Sequence, residues 1–149
     1  MPALLDHIDP NGLEEFSVVF TDRSLNHMSK EFQQVMCDLS SNLKEVYNSD
    51  AVVLVPGGGT FAMEAVARQF GIDANVLVIR NGWFSYRWSQ IFESSANART
   101  TTVVKARMVG NEAVAPFRPA DVDDVIEKIK EEKPHVVFAP HVETSAGVI

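Results

Sequence analysis

Hydrophobic positions along this chain change period several times, and each change marks an element. Phe32, Val35, Met36, Leu39, Leu43 and Val46 recur at three- and four-residue steps, which places them on one face of a helix. Ser29, just ahead of them, is a suitable N-cap, because its hydroxyl accepts from a free backbone N–H of the first turn. The spacing predicts a helix over 29–47, ended by Asn48-Ser49-Asp50. Residues 51–55 then form a continuous apolar run, Ala-Val-Val-Leu-Val, which suits a strand buried on both faces. Helical spacing returns with Phe61, Ala62, Ala65, Val66 and Phe70, and stops at Gly71. A second strand over 76–79, a helix carrying Phe84, Trp88, Ile91 and Phe92, and a third strand over 101–104 follow. After a loop over 110–119, Asp121 caps an amphipathic helix bearing Val122, Val125, Ile126 and Ile129. Lysines crowd its C-terminal end, where they favour the negative pole of the helix dipole. A fourth strand over 135–139 closes the series. Strands alternating with helices predict an α/β fold, a mostly parallel sheet with flanking helices. Residues 1–28 lack a period and are broken by Pro2, Pro10 and Gly12, so they read as an N-terminal arm with one short helix near Leu13.

Composition narrows the function classes. The 149 residues, 46% hydrophobic and 22% charged, suit one globular domain. The net charge of -7 and the absence of a basic stripe argue against a nucleic-acid partner. A single cysteine, Cys37, cannot form an internal disulfide or a cysteine-rich metal site, and its place on a helix border suits packing. No apolar run approaches the roughly 20 residues of a membrane span, and no basic n-region precedes an apolar stretch, so no membrane partner is expected and the cytoplasm is the default compartment.

Ligands of open α/β sheets bind beyond the carboxyl ends of the strands. Three loops at such ends carry candidate chemistry. Gly57-Gly58-Gly59-Thr60 lies between a strand and a helix, where glycines admit close approach and the helix start offers free N–H groups to an anion. The alternative is a tight turn with Thr60 as a plain N-cap. A P-loop would need a lysine that is missing here. The dinucleotide fingerprint fits loosely through Gly57, Gly59 and Ala62, with Arg80 after the second strand suited to a 2′-phosphate, so NADP binding is a second reading. The next loop, residues 80–88, brings several aromatics to the ligand edge, and Phe84 or Trp83 could stack on a flat ring. The last, residues 141–147, follows the fourth strand with a polar cluster. His141 there suits a structural role, and Glu143 lacks companions at metal-ligand spacing, so no metal site is expected.

Three segments together resemble class V aminotransferases of the pyridoxal-phosphate fold type I, in the alanine–glyoxylate and serine–glyoxylate branch. They are Pro56-Gly-Gly-Gly-Thr-Phe-Ala-Met-Glu-Ala65, Asn81-Gly-Trp-Phe-Ser-Tyr-Arg-Trp88 and His141-Val-Glu-Thr-Ser-Ala-Gly-Val148. Asn26-His-Met-Ser-Lys-Glu-Phe32 is similar to that family's entry to its first long helix. The resemblance implies pyridoxal 5'-phosphate as cofactor, with Gly58, Gly59 and Thr60 at its phosphate, Phe84 stacked on the pyridine and Thr144 near the ring's polar edge. It makes residues 29–149 an incomplete large domain, without the Schiff-base lysine, the pyridine-nitrogen acid or the small C-terminal domain. No catalytic residue is therefore assigned, and the chain alone is expected to be inactive. For the longer parent it implies amino-group transfer between a small amino acid and a 2-oxo acid such as glyoxylate, in a homodimer. Two other readings stand beside it: an NADP-binding oxidoreductase domain, and a non-catalytic fragment or assembly module.

Overall fold

Short-range chemistry sets the first helix as its sequence predicts. The Ser29 hydroxyl accepts from the Phe32 N–H at 3.1 Å, and Asn48 turns left-handed to return its own N–H to the helix. The computed structural model describes residues 14–15, 24–25 and 27–148, divided into two compact units, 1–54 and 55–149. In the first unit, β1 (Glu14–Glu15) pairs antiparallel with β2 (Ser24–Leu25), and α1 spans Lys30–Tyr47. Leu13, the centre of the expected short helix, lies outside the described residues, and the adjoining Glu14 and Glu15 are a strand. The apolar stripe of α1 is partly covered: Phe32, Met36 and Leu43 are half-buried, whereas Val35, Leu39 and Val46 are exposed.

The apolar run at 51–55 is not a strand. A strand exists by exchanging hydrogen bonds with a neighbour, and among the described residues this run has none; Val53 is 83% exposed.

The second unit contains α2 (Gly59–Phe70), β3 (Asn75–Arg80), α3 (Trp83–Ser95), β4 (Thr100–Lys105), β5 (Arg107–Met108), β6 (Phe117–Arg118), α4 (Val122–Glu132) and β7 (Val136–Phe138). The three longer strands form a parallel sheet in the order β4-β3-β7. The two-residue strands β5 and β6 pair antiparallel, β5 just before the loop expected over 110–119 and β6 within it. The α/β fold with a small parallel sheet and flanking helices is therefore present.

Central β3 is the most deeply buried element. Val76 and Val78 project to one face, against Ala67 of α2, Ile91 and Phe92 of α3, and Phe138 of β7. The Phe138 ring lies 4.6 Å from Trp88 and 5.0 Å from Phe92, centroid to centroid, in tilted geometries. Leu77, fully buried, points to the opposite face. Topology explains its cover. The chain moves from β3 to β4 in one direction and from β4 past β3 to β7 in the other. Right-handed crossovers in opposite directions place α3 and α4 on opposite faces of the sheet.

Gly71 ends α2 as predicted, for a reason other than left-handed geometry. Its φ is -99°, but a Cβ there would sit 2.4 Å from Phe92 Cε1 and 2.7 Å from the Ala67 carbonyl oxygen. Close packing of α2 on α3 excludes a side chain.

Candidate ligand-binding site

The carboxyl ends of β3 and β7 are tied together by one carboxylate. Helix α3 begins at Trp83, and its N-cap is Gly82, which has no side chain to satisfy the first N–H groups. Glu143, from the loop after β7, takes that place. One of its oxygens accepts from the Phe84 N–H at 3.0 Å and from the Ser145 hydroxyl; the other accepts from the Ser85 N–H at 2.8 Å and the Ser85 hydroxyl at 2.5 Å. Ser145 Oγ accepts from the Trp83 N–H at 2.8 Å, and Ser85 Oγ from the Asn81 and Gly82 N–H groups at 2.8 and 3.0 Å. Every free donor of the helix start thus has an acceptor, and the positive end of the dipole faces a negative charge.

Glu143 is fully buried. Burial pushes its pKa up, but the hydrogen bonds from Ser145, Ser85 and the backbone at Ser85 and Phe84 outweigh that, and hold it down at about 2 from the ordinary 4.5. Gly82 is required by the same contact: a Cβ would lie 2.7 Å from Ser145 Oγ and 2.8 Å from Glu143 Cγ and Cδ.

Beside this clasp lies a cavity of about 510 Å³. It is lined from the end of β3 and start of α3 (Arg80, Asn81, Gly82, Trp83, Tyr86), the end of β4 (Lys105, Ala106), β6 (Phe117) and the loop after β7 (Ser145, Ala146). It therefore opens at the carboxyl ends of all three parallel strands, where α/β sheets bind ligands. The Arg80 guanidinium lies 5.1 Å from the Tyr86 ring centroid, and Trp83 meets Tyr86 at 5.7 Å and 49°. Among the described residues neither Arg80 nor Lys105 forms an ion pair, whereas Arg68, Arg107, Arg118 and Lys128 all do.

None of the five residues expected at a cofactor lines this cavity. Gly58 is the N-cap of α2, Gly59 its first residue, and Thr60 stands exposed in the first turn. The cap is Gly58 rather than Thr60, and it makes no side-chain capping bond. Gly57, at φ +125°, is the position that needs glycine, because a Cβ there would also sit 2.7 Å from Phe61 Cδ2; around Gly58 and Gly59 there is open space. Phe84 gives its N–H to Glu143 and leaves its ring half-exposed. Thr144 is exposed in the turn that Glu143 closes with Val148.

Sequence reasoning missed Lys105, Ser85, Ser145 and the capping role of Glu143. Two signals were available. A helix start at Gly82 calls for a cap from elsewhere, and Lys105 ends an apolar strand as Arg80 ends its neighbour.

No family model matches the chain. A protein named as the small subunit of a soluble hydrogenase, from Synechococcus sp. (strain PCC 6716), is 30% identical over 127 residues, which are 84% of this chain and 31% of the relative. The chain spans about a third of that relative's length. This finding corrects the aminotransferase resemblance, because the relative carries the name of a redox subunit. Amino-group transfer, pyridoxal 5'-phosphate as cofactor, amino-acid and 2-oxo-acid substrates and the family homodimer are withdrawn with it. A thiolate-held metal cluster does not fit these residues: Cys37 is the one cysteine, and no three His, Cys, Asp or Glu side chains converge among the described residues. Among those residues, also, no helix is long and apolar enough to cross a membrane.

Proposed function

We infer that this chain is a segment of an oxidoreductase subunit whose strand-end cavity takes a nicotinamide nucleotide of the NADP class. One observation carries the reading: Arg80 and Lys105, two cations without acid partners among the described residues, share a cavity with the aromatic rings of Trp83, Tyr86 and Phe117. A flat ring finds apolar contact there and an anionic group finds charge. The volume falls within the range of small-molecule sites, about 300–1,000 Å³. The relative's name supports redox chemistry, and the word subunit in it supports work within a larger assembly.

The glycine fingerprint contributes less than the cavity. Gly57, Gly59 and Ala62 do lead into a helix and then into β3, but residues 51–55 supply no strand before them. The strand–loop–helix context that gives the fingerprint its meaning is half met.

The experiment is a titration of the chain with NADPH, followed by nucleotide fluorescence and by quenching of Trp83. Saturable binding with quenching is expected. No saturable response to NADPH or NADH would sink the reading.

A further inference from the structure

We propose that Arg80 and Lys105 form a two-cation clamp for a phosphate monoester, so that the cavity prefers phosphorylated to unphosphorylated dinucleotides. The proposal rests on the nucleotide reading above and adds the selecting residues to it.

Arg80 and Lys105 are direct partners at the last position of the β3–β4 pairing, so their side chains leave the same face of the sheet. Like charges opposite one another on neighbouring strands repel. Among the described residues no carboxylate pairs with either of them, in a chain with 20 acidic and 13 basic residues. An anion between them would relieve the repulsion.

Each cation keeps donors for it. Arg80 rests on the Tyr86 ring and reaches Ser89 Oγ at 3.5 Å, which leaves most of its five N–H groups free. A guanidinium so oriented suits bidentate contact with phosphate oxygens. Lys105 is exposed and adds a mobile point charge. The other anion-attracting feature nearby, the start of α3, is already satisfied by the Glu143 carboxylate. A phosphate entering the cavity is therefore drawn to the two strand-end cations. Trp83 lines the same cavity and is 59% exposed, with the Arg87 guanidinium 6.0 Å from its ring centroid.

The test titrates the whole chain and its Arg80→Gln, Lys105→Gln and Arg80→Lys variants with NADPH and NADH. NADPH is expected to bind at least about tenfold more tightly than NADH. Each Gln variant should weaken NADPH about tenfold and leave NADH within about twofold, while Arg80→Lys keeps most of the preference. The preference should shrink as salt rises. Neither side chain belongs to the core cluster, so thermal melts check that the variants fold. Equal affinity for the two dinucleotides, or equal weakening of both by the variants, overturns the clamp and leaves standing only that the cavity binds a nicotinamide nucleotide. If neither dinucleotide binds, that reading fails and the clamp is judged with inorganic pyrophosphate. Amide shifts at Arg80 and Lys105, lost in both Gln variants, support it; absence of those shifts overturns it.

Discussion

Replacing Glu143 by Gln keeps the size of the cap and removes its charge. Glu143 is 1% exposed, so solvent does little to screen what is lost. The carboxylate receives four donors, from Phe84, Ser85 (N–H and hydroxyl) and Ser145. A glutamine amide presents two donors of its own to part of that set. The distance from 4.5 to about 2 corresponds to about 3 kcal/mol of stability at pH 7. The sign follows from the direction. A carboxyl whose folded pKa is depressed contributes fully above its unfolded value of 4.5, and the contribution disappears as pH falls through about 2. Between pH 7 and pH 3 it should drop by about 2 kcal/mol. Urea unfolding of wild type and Glu143→Gln at the two pH values measures this, because groups common to both proteins cancel. The expected result is a stability difference that shrinks by about 2 kcal/mol at the lower pH. A difference that stays constant would refute the claim that ionised Glu143 holds the start of α3.

Other substitutions probe neighbouring parts of the account. Gly82→Ala pushes a methyl to within 2.8 Å of Glu143 and should cost about 1–3 kcal/mol in chemical denaturation. Phe138→Ala removes the ring that Trp88 and Phe92 pack against, and should cost about 3–5 kcal/mol in the same assay. Gly58→Ser has open space around its new side chain and supplies the missing N-cap of α2; calorimetry should show a gain of a few tenths to about 1 kcal/mol.

Much of the scaffold was legible from local pattern. The first helix, the strands near 76–79 and 101–104, and the stop at Gly71 follow from period, capping and apolar runs, which are properties of neighbouring residues. The β5–β6 pair was not, because two residues per strand are too few to establish a period. Residues 51–55 have the composition of a buried strand but no partner among the described residues, and composition does not reveal pairing. The clasp was hidden for a related reason: Glu143 lies 58 residues beyond Ser85, a separation no local spacing reports. Lys105 became a candidate once the register placed it beside Arg80. The motif resemblance pointed to Phe84 and Thr144, whereas the cavity is built from their neighbours Trp83 and Ser145.

The central claim is that a redox nucleotide binds at the carboxyl ends of β3, β4 and β7. Backbone amide shifts of the chain titrated with NADPH test it most directly. The account predicts saturable shifts at residues 80–83, 105–106 and 145–146, with residues 57–60 less affected. Shifts centred on 57–60, or no shifts with NADPH where pyridoxal phosphate produces them, would contradict it.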